Sequence, residues 1–189
     1  DVGFDLFVKL INEAVEELKH EEFKEVFKTL PKPKEKTEPT IDTYFEIGIP
    51  QTYMPEQMDR LNFYTGLYSV ASLEEIEDLV EEMKDRFGAL PMMVNLLIST
   101  AKLKFYASQA LFERIIIQRK NIFLILPKGE KEDYYKYRFT VLMKHIMEKY
   151  SDTVKFNQQK ETMRLIISNN FASPAALLEN IIDFTKDVA

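Results

Sequence analysis

From Ser72 to Pro91 the sequence marks both ends of one helix and the start of the next, and any fold must be built around that pair. Ser72 opens a capping box with Glu75, three residues on, an arrangement that satisfies backbone N–H groups at a helix start. Leu73, Ile76, Leu79, Val80, Met83 and Phe87 then recur at helical spacing as one apolar stripe. Gly88 falls at C′, where a left-handed backbone carries no Cβ penalty, and Pro91 at N1 of the following helix. That second helix is expected over Pro91–Phe112, with Leu97, Ile98, Ala101 and Phe105 among its apolar positions.

On either side the pattern changes. Phe4, Phe7, Leu10, Ile11, Ala14, Val15 and Leu18 predict a first helix over Asp5–Lys19. The stretch 28–40 holds Pro31, Pro33 and Pro39 among alternating charges and reads as an extended, solvated linker. Ile41–Ile49 predicts a strand or extended arm, and Pro50 and Pro55 bracket a rigid turn. Glu56–Val70 reads as a helix with Leu61, Tyr64, Leu67 and Tyr68 on one face. Beyond residue 112 come β-branched runs. Arg114–Gln118 with Ile122–Leu126, and Val154–Asn157 with Thr162–Ser168, predict two hairpins. Between them Tyr134–Tyr150 is helical, with Phe139, Leu142, Met143, Ile146 and Met147 inward. Ser173 and Pro174 start a last helix that buries Leu177, Leu178, Ile181, Ile182 and Phe184. The class is therefore α+β, a mainly helical N-terminal part with an extended arm followed by a lobe of β-hairpins and helices. The organisation reads as 1–27, 28–40, 41–112 and 113–189.

Composition then removes function classes. The five glycines never take the spacing of a P-loop, nor of GxGxxG or GxSxG, so no nucleotide site is recognisable. The chain has no Cys, hence no thiolate nucleophile or Cys-ligated zinc, and a reducing cytoplasm is the expected compartment. No apolar run approaches the ~18–20 residues of a membrane span. The start at Asp1, without Met or signal peptide, reads as a segment of a longer protein. His20 and His145 lack the companions that metal ligation requires, so no metal or cofactor is expected. The aromatic stripe Tyr134, Tyr135, Tyr137 and Phe139 is read as packing rather than base stacking.

The chain carries 25 Lys+Arg against 31 Asp+Glu, a net charge of −6. The helix over Ser72–Phe87 holds seven acids, Glu74, Glu75, Glu77, Asp78, Glu81, Glu82 and Asp85, against Lys84 and Arg86, or −5. Asp78, Glu82 and Asp85 lie at i, i+4 and i+7, one stripe opposite the apolar face. It is either a solvated face, with Glu82–Arg86 as a weak local pair, or a docking surface for a basic partner.

Four sequence elements resemble one family. Glu82-Met83-Lys84-Asp85-Arg86-Phe87-Gly88-Ala89-Leu90-Pro91 resembles the E-L-x-D-R-F-G-x-L-P signature of bacterial transcription-repair coupling factors (Mfd). Ile49–Pro55 is similar to their I-P-x-x-Y-I-P, Arg60–Tyr64 to R-L-x-x-Y, and Gly3–Phe7 to G-F-D-L-Y. Met83 and Ala89 stand where the family has Leu and a variable residue, while residues 113–189 match only in strand–helix pattern. The resemblance implies a non-enzymatic, regulatory C-terminal domain of an ATP-dependent DNA translocase. That protein pushes stalled RNA polymerase off DNA and recruits UvrA in nucleotide excision repair. It further implies that the domain docks on the protein's own UvrB-like module, in competition with UvrA, and so holds it repressed. Glu82 and Asp85, with Arg86 adjacent, are the positions it assigns to docking, and Asp78 joins them as a candidate from the helical stripe alone. ATP and Mg belong to the motor.

Two rivals remain at this level. One is an accessory nucleic-acid-contacting domain using Lys32, Lys34 and Lys36 with the basic residues of Arg114–Lys120. The other, an independent hydrolase built on scattered carboxylates, ranks last.

Overall fold

The computed structural model describes residues 37–189 apart from 130, 132 and 161. The helix expected over Asp5–Lys19, His20, and Lys32, Lys34 and Lys36 lie outside the described residues. The described chain runs β1 (Thr40–Thr43), α1 (Gln57–Tyr68), α2 (Leu73–Phe87), α3 (Met92–Gln109), β2 (Arg114–Ile117) and β3 (Asn121–Ile125). A π-helical stretch, Tyr134–Arg138, leads into α4 (Phe139–Lys149), followed by β4 (Val154–Gln159), β5 (Thr162–Ser168) and α5 (Pro174–Val188). The class is α+β.

Both predicted hairpins form. β2 and β3 pair antiparallel, as do β4 and β5, and a β3–β5 ladder joins the hairpins. β1 adds to the outer edge of β2 in parallel, giving the order β1-β2-β3-β5-β4. The arm expected over Ile41–Ile49 is a strand only as far as Thr43. The reason is competition for its backbone: the Gly48 N–H donates to the Met93 carbonyl and the Ile49 N–H to Tyr64 Oη. These bonds draw the chain off the sheet and into the helices.

The core forms in two clusters. One lies beneath the sheet and gathers Phe112, Ile115, Ile117, Ile122, Leu124, Leu165, Ile167 and the inner faces of α4 and α5. The other gathers Ile49, Met54, Phe63, Leu67, Ile76 and Met83 around α1 and α2. α3 serves both, giving Leu96, Leu103 and Ala107 to the first and Val94, Leu97, Ile98 and Ala101 to the second. Thr37 fixes the chain where β1 begins: its Oγ1 donates to the Phe112 carbonyl at 3.0 Å, and the Thr37 carbonyl accepts from Ser108 Oγ at 2.6 Å.

Three expectations need correction. Leu61 and Tyr68 are exposed, because α1 turns Phe63 and Leu67, an i,i+4 pair, into the core. Met147 is exposed because α4 buries Leu142 and Ile146, and the next residue lies about 100° round the helix. Pro91 is the N-cap of α3 rather than N1, with extended backbone (ψ 160°) that only Met92 converts to helix.

His145, which has no partner evident in sequence, meets a carboxylate near the end of α5. Asp187 lies 2.7 Å from His145 Nε2 and accepts from Lys149 Nζ and Tyr150 Oη, each at 2.8 Å. Lys149, then His145, then Tyr150 hold its carboxyl below the usual carboxylate range. A depressed carboxylate contributes stability above its unfolded pKa, about 3.9, and loses it as pH falls towards the folded value. Asp187→Asn should therefore lower Tm by roughly 2–4 °C at neutral pH. Thermal melts across pH should show that gap closing below about pH 4. Leu103→Ala, in the α3 face toward the sheet and fully buried, should cost about 3 kcal/mol in denaturant unfolding.

Candidate functional site

α2 is positioned by its own ends. Ser72 Oγ accepts from the Glu75 N–H at 3.2 Å, and Glu75 Oε2 accepts from the Ala71 N–H at 2.8 Å, completing the predicted capping box one residue further out. Gly88 closes the helix at φ +86°, the left-handed side that a Cβ would strain. Ile76 and Met83 are fully buried, with Leu73, Leu79, Val80 and Phe87 partly so, which turns the charged positions outward.

Around this helix the other signature elements interlock. The Pro50 carbonyl accepts from the N–H groups of Tyr53 and Met54, each at 3.0 Å, closing the turn bracketed by the prolines. Arg60 Nη1 donates to the carbonyls of Met54 and Pro55, each at 2.7 Å, while Tyr64 Oη accepts from Ile49 at 2.7 Å. Thus the Arg and Tyr of R-L-x-x-Y hold the exit and the entrance of the proline turn. A Cβ on Gly48 would come within 2.9 Å of that Tyr64 hydroxyl, so this approach requires glycine. Tyr53 Oη in turn reaches the end of α2, within 3.1 Å of both the Met83 and Gly88 carbonyls. Partial burial pushes the Tyr53 phenol above its ordinary pKa, and its hydroxyl, facing two carbonyls, is the donor.

Arg86 binds the elements together electrostatically. Its guanidinium donates to Asp59 of α1 at 2.7 Å and to Glu82 at 2.9 Å, and these two bonds raise its pKa. It also lies 4.9 Å from the Phe87 ring centroid and 5.7 Å from that of Phe63. Arg86 is therefore a structural tie, and Glu82 Oε1 is already engaged. Asp78 and Asp85 are exposed and have no partner among the described residues. Glu74 and Glu81, not singled out in sequence, share their face at i, i+4, i+7 and i+11, exposed and likewise without a described partner. The carboxylate row that faces solvent is thus Glu74, Asp78, Glu81 and Asp85, with Glu82 on its α1 flank. Glu74 and Glu81 are among the seven acids counted in the sequence, and their place opposite the apolar stripe was legible in the same spacing.

Beside this row an open groove of about 860 Å³ runs between α2 and α3, lined by Val80, Leu90 and Ile98 together with Glu77, Glu81, Lys84 and Lys102. Among the described residues no three His, Asp or Glu side chains converge to hold a metal, and no helix is long and apolar enough to cross a membrane. Chemically the surface can attract and orient cations; nothing in it couples an acid to a nucleophile.

The TRCF domain model matches residues 43–137. The chain is 37% identical over 114 residues to the transcription-repair-coupling factor of Bacillus subtilis, covering 60% of this chain and 9% of that protein. It is 30% identical over 132 residues to that of Staphylococcus epidermidis, covering 70% and 11%. The chain thus spans about a tenth of the length of these relatives. Its fold is similar to a crystal structure of the C-terminal domain of transcription-repair coupling factor, with TM-score 0.66 and 19% identity over 82% of this chain and 93% of that one. Tyr53→Phe, which removes the tie from the proline turn to the end of α2, should cost about 1 kcal/mol in chemical denaturation. Hydrogen exchange should quicken at the last turn of α2 in the same variant.

Proposed function

The chain belongs to the TRCF domain family, and from that premise we propose that it is a regulatory docking domain of a transcription-repair coupling factor. In this reading it is not itself an enzyme. Its parent is an ATP-dependent DNA translocase of the bacterial cytoplasm that removes stalled RNA polymerase and recruits repair proteins. ATP and Mg, DNA and polymerase are handled by other domains of that protein. This domain docks through α2 on the parent's UvrB-like module and masks the surface that UvrA would use.

The observation that carries the reading is the row of solvent-facing carboxylates, Glu74, Asp78, Glu81 and Asp85, on a helix whose two ends and buried face are all fixed. The fixed helix holds the backbone of such a row in place before arginines arrive, and guanidinium groups can engage it bidentately. Its strength falls with salt, and within one polypeptide a high effective concentration keeps it closed until a competitor displaces it. Glu82 acts in two roles: Oε1 holds Arg86, and Oε2 has no partner among the described residues and is open to an incoming arginine. The groove lined by Val80, Leu90 and Ile98 supplies apolar surface beside the charges.

The test is the double change Glu82→Ala with Asp85→Ala in the full-length coupling factor that carries this domain. UvrA capture should rise by about tenfold, corresponding to roughly 1.4 kcal/mol of lost docking energy. Asp78→Lys should do the same and weaken the salt dependence of docking. UvrA capture unchanged in all these variants would remove the docking role from α2.

A further inference from the structure

Strand alternation gives the sheet two faces, and among the described residues the core uses one of them. The buried residues of α3, α4 and α5 cluster with Ile115, Ile117, Ile122, Leu124, Leu165 and Ile167. The residues that alternate with these, Ile116, Phe123, Ile125 and Ile166, belong to neither cluster and stay partly exposed. The ladder registers place Ile116, Phe123, Ile166 and Lys155 side by side across four strands, with Arg114, Ile125, Arg164 and Asn157 in the neighbouring row. Asp42 is the carboxylate that the described strands bring to this face, and Arg114 neutralises it at 2.5 Å.

The charge of this face runs against that of the chain. The net charge is −6, yet Arg114, Arg164 and Lys155 project here. Arg119, in the adjoining β2–β3 turn, lies 5.0 Å from the ring centroid of Tyr44, just past β1. Arg164 lies 4.6 Å from the ring centroid of Phe123. The face therefore presents two ring–guanidinium pairs, aliphatic surface between strands, and exposed cations at its margin.

We propose that this open face of the sheet binds single-stranded nucleic acid. Unpaired bases offer flat apolar surfaces to stack on rings and guanidinium planes, and their phosphates match Arg119, Lys120 and Lys155 at the margin. A duplex hides its base faces and would meet only the cations. An acidic protein would likewise use the charges and leave the aromatic pairs without a role. Salt confines the attraction to about a Debye length from the face, and beyond it the acidic remainder of the chain offers no pull. The inference is independent of the docking reading, since it uses none of the carboxylates of α2.

The experiment is fluorescence anisotropy of the whole 189-residue chain with labelled oligothymidine and oligouridine of roughly 12 nucleotides. A duplex and an abasic strand of the same length serve as comparisons, from about 50 to 200 mM salt. The single strands should bind about tenfold tighter than either comparison. Phe123→Leu, which keeps an apolar side chain while removing the ring, should weaken that binding about tenfold at an unchanged melting temperature. Lys155→Ala should reduce the salt slope by about 0.7, one phosphate contact. The proposal is overturned by absent binding at the lowest salt, by equal affinity for single strand, duplex and abasic strand, or by a Phe123→Leu variant that binds as wild type. It is equally overturned if light scattering finds that this face instead joins two copies of the chain in a Phe123-dependent dimer.

Discussion

The structure depends on α3 having two apolar faces. A helix with a single stripe closes one core; α3 gives Leu96, Leu103 and Ala107 to the sheet side and Val94, Leu97, Ile98 and Ala101 to α1 and α2. At about 25 cal/mol per Å² of apolar area removed from water, neither side is dispensable for a domain of this size. α3 thereby joins the two clusters among the described residues. The all-round burial also explains why α3 is poor in charge, with Lys102 and Lys104 as its only ionisable cations.

Several polar residues in the described signature elements act on the fold. Arg60, Tyr64 and Tyr53 fasten the proline turn and the end of α2, and Arg86 joins α1 to α2 through Asp59. Asp85 does none of this, and among the signature carboxylates it is the one with no described partner. A motif can thus mix residues that build a surface with residues that are the surface. Telling the two apart takes partner distances, because both kinds are polar and both recur at the same spacing.

What was readable in sequence follows the same division. Caps, breaks and strong periodicity located α2, α3, the two hairpins and α5, since Ser72, Gly88, Ser173 and Pro174 act through local backbone geometry. Burial on α1 was misread because Leu61 and Tyr68 compete with Phe63 and Leu67 for inside positions, and the outcome is decided by where α3 lies. The end of β1 was invisible for a similar reason: Gly48 and Ile49 leave the sheet for partners, Met93 and Tyr64, that are distant in sequence. The Asp187 cluster joins residues 37 to 42 positions apart, beyond any local pattern. The acidic face itself was legible, as was the Glu82–Arg86 pair; the solvent-facing row gains Glu74 and Glu81.

The parallel pairing of β1 with β2 has a mechanical side. Thr37 is pinned by Phe112 and Ser108, and β1 starts three residues later in register with Arg114 to Ile117. A pull delivered along the chain into Thr37 reaches this ladder lengthwise. Its hydrogen bonds are then loaded together in shear rather than opened one after another as in a hairpin pulled from its ends. Short as it is, β1 would therefore resist such a pull with its ladder as a whole.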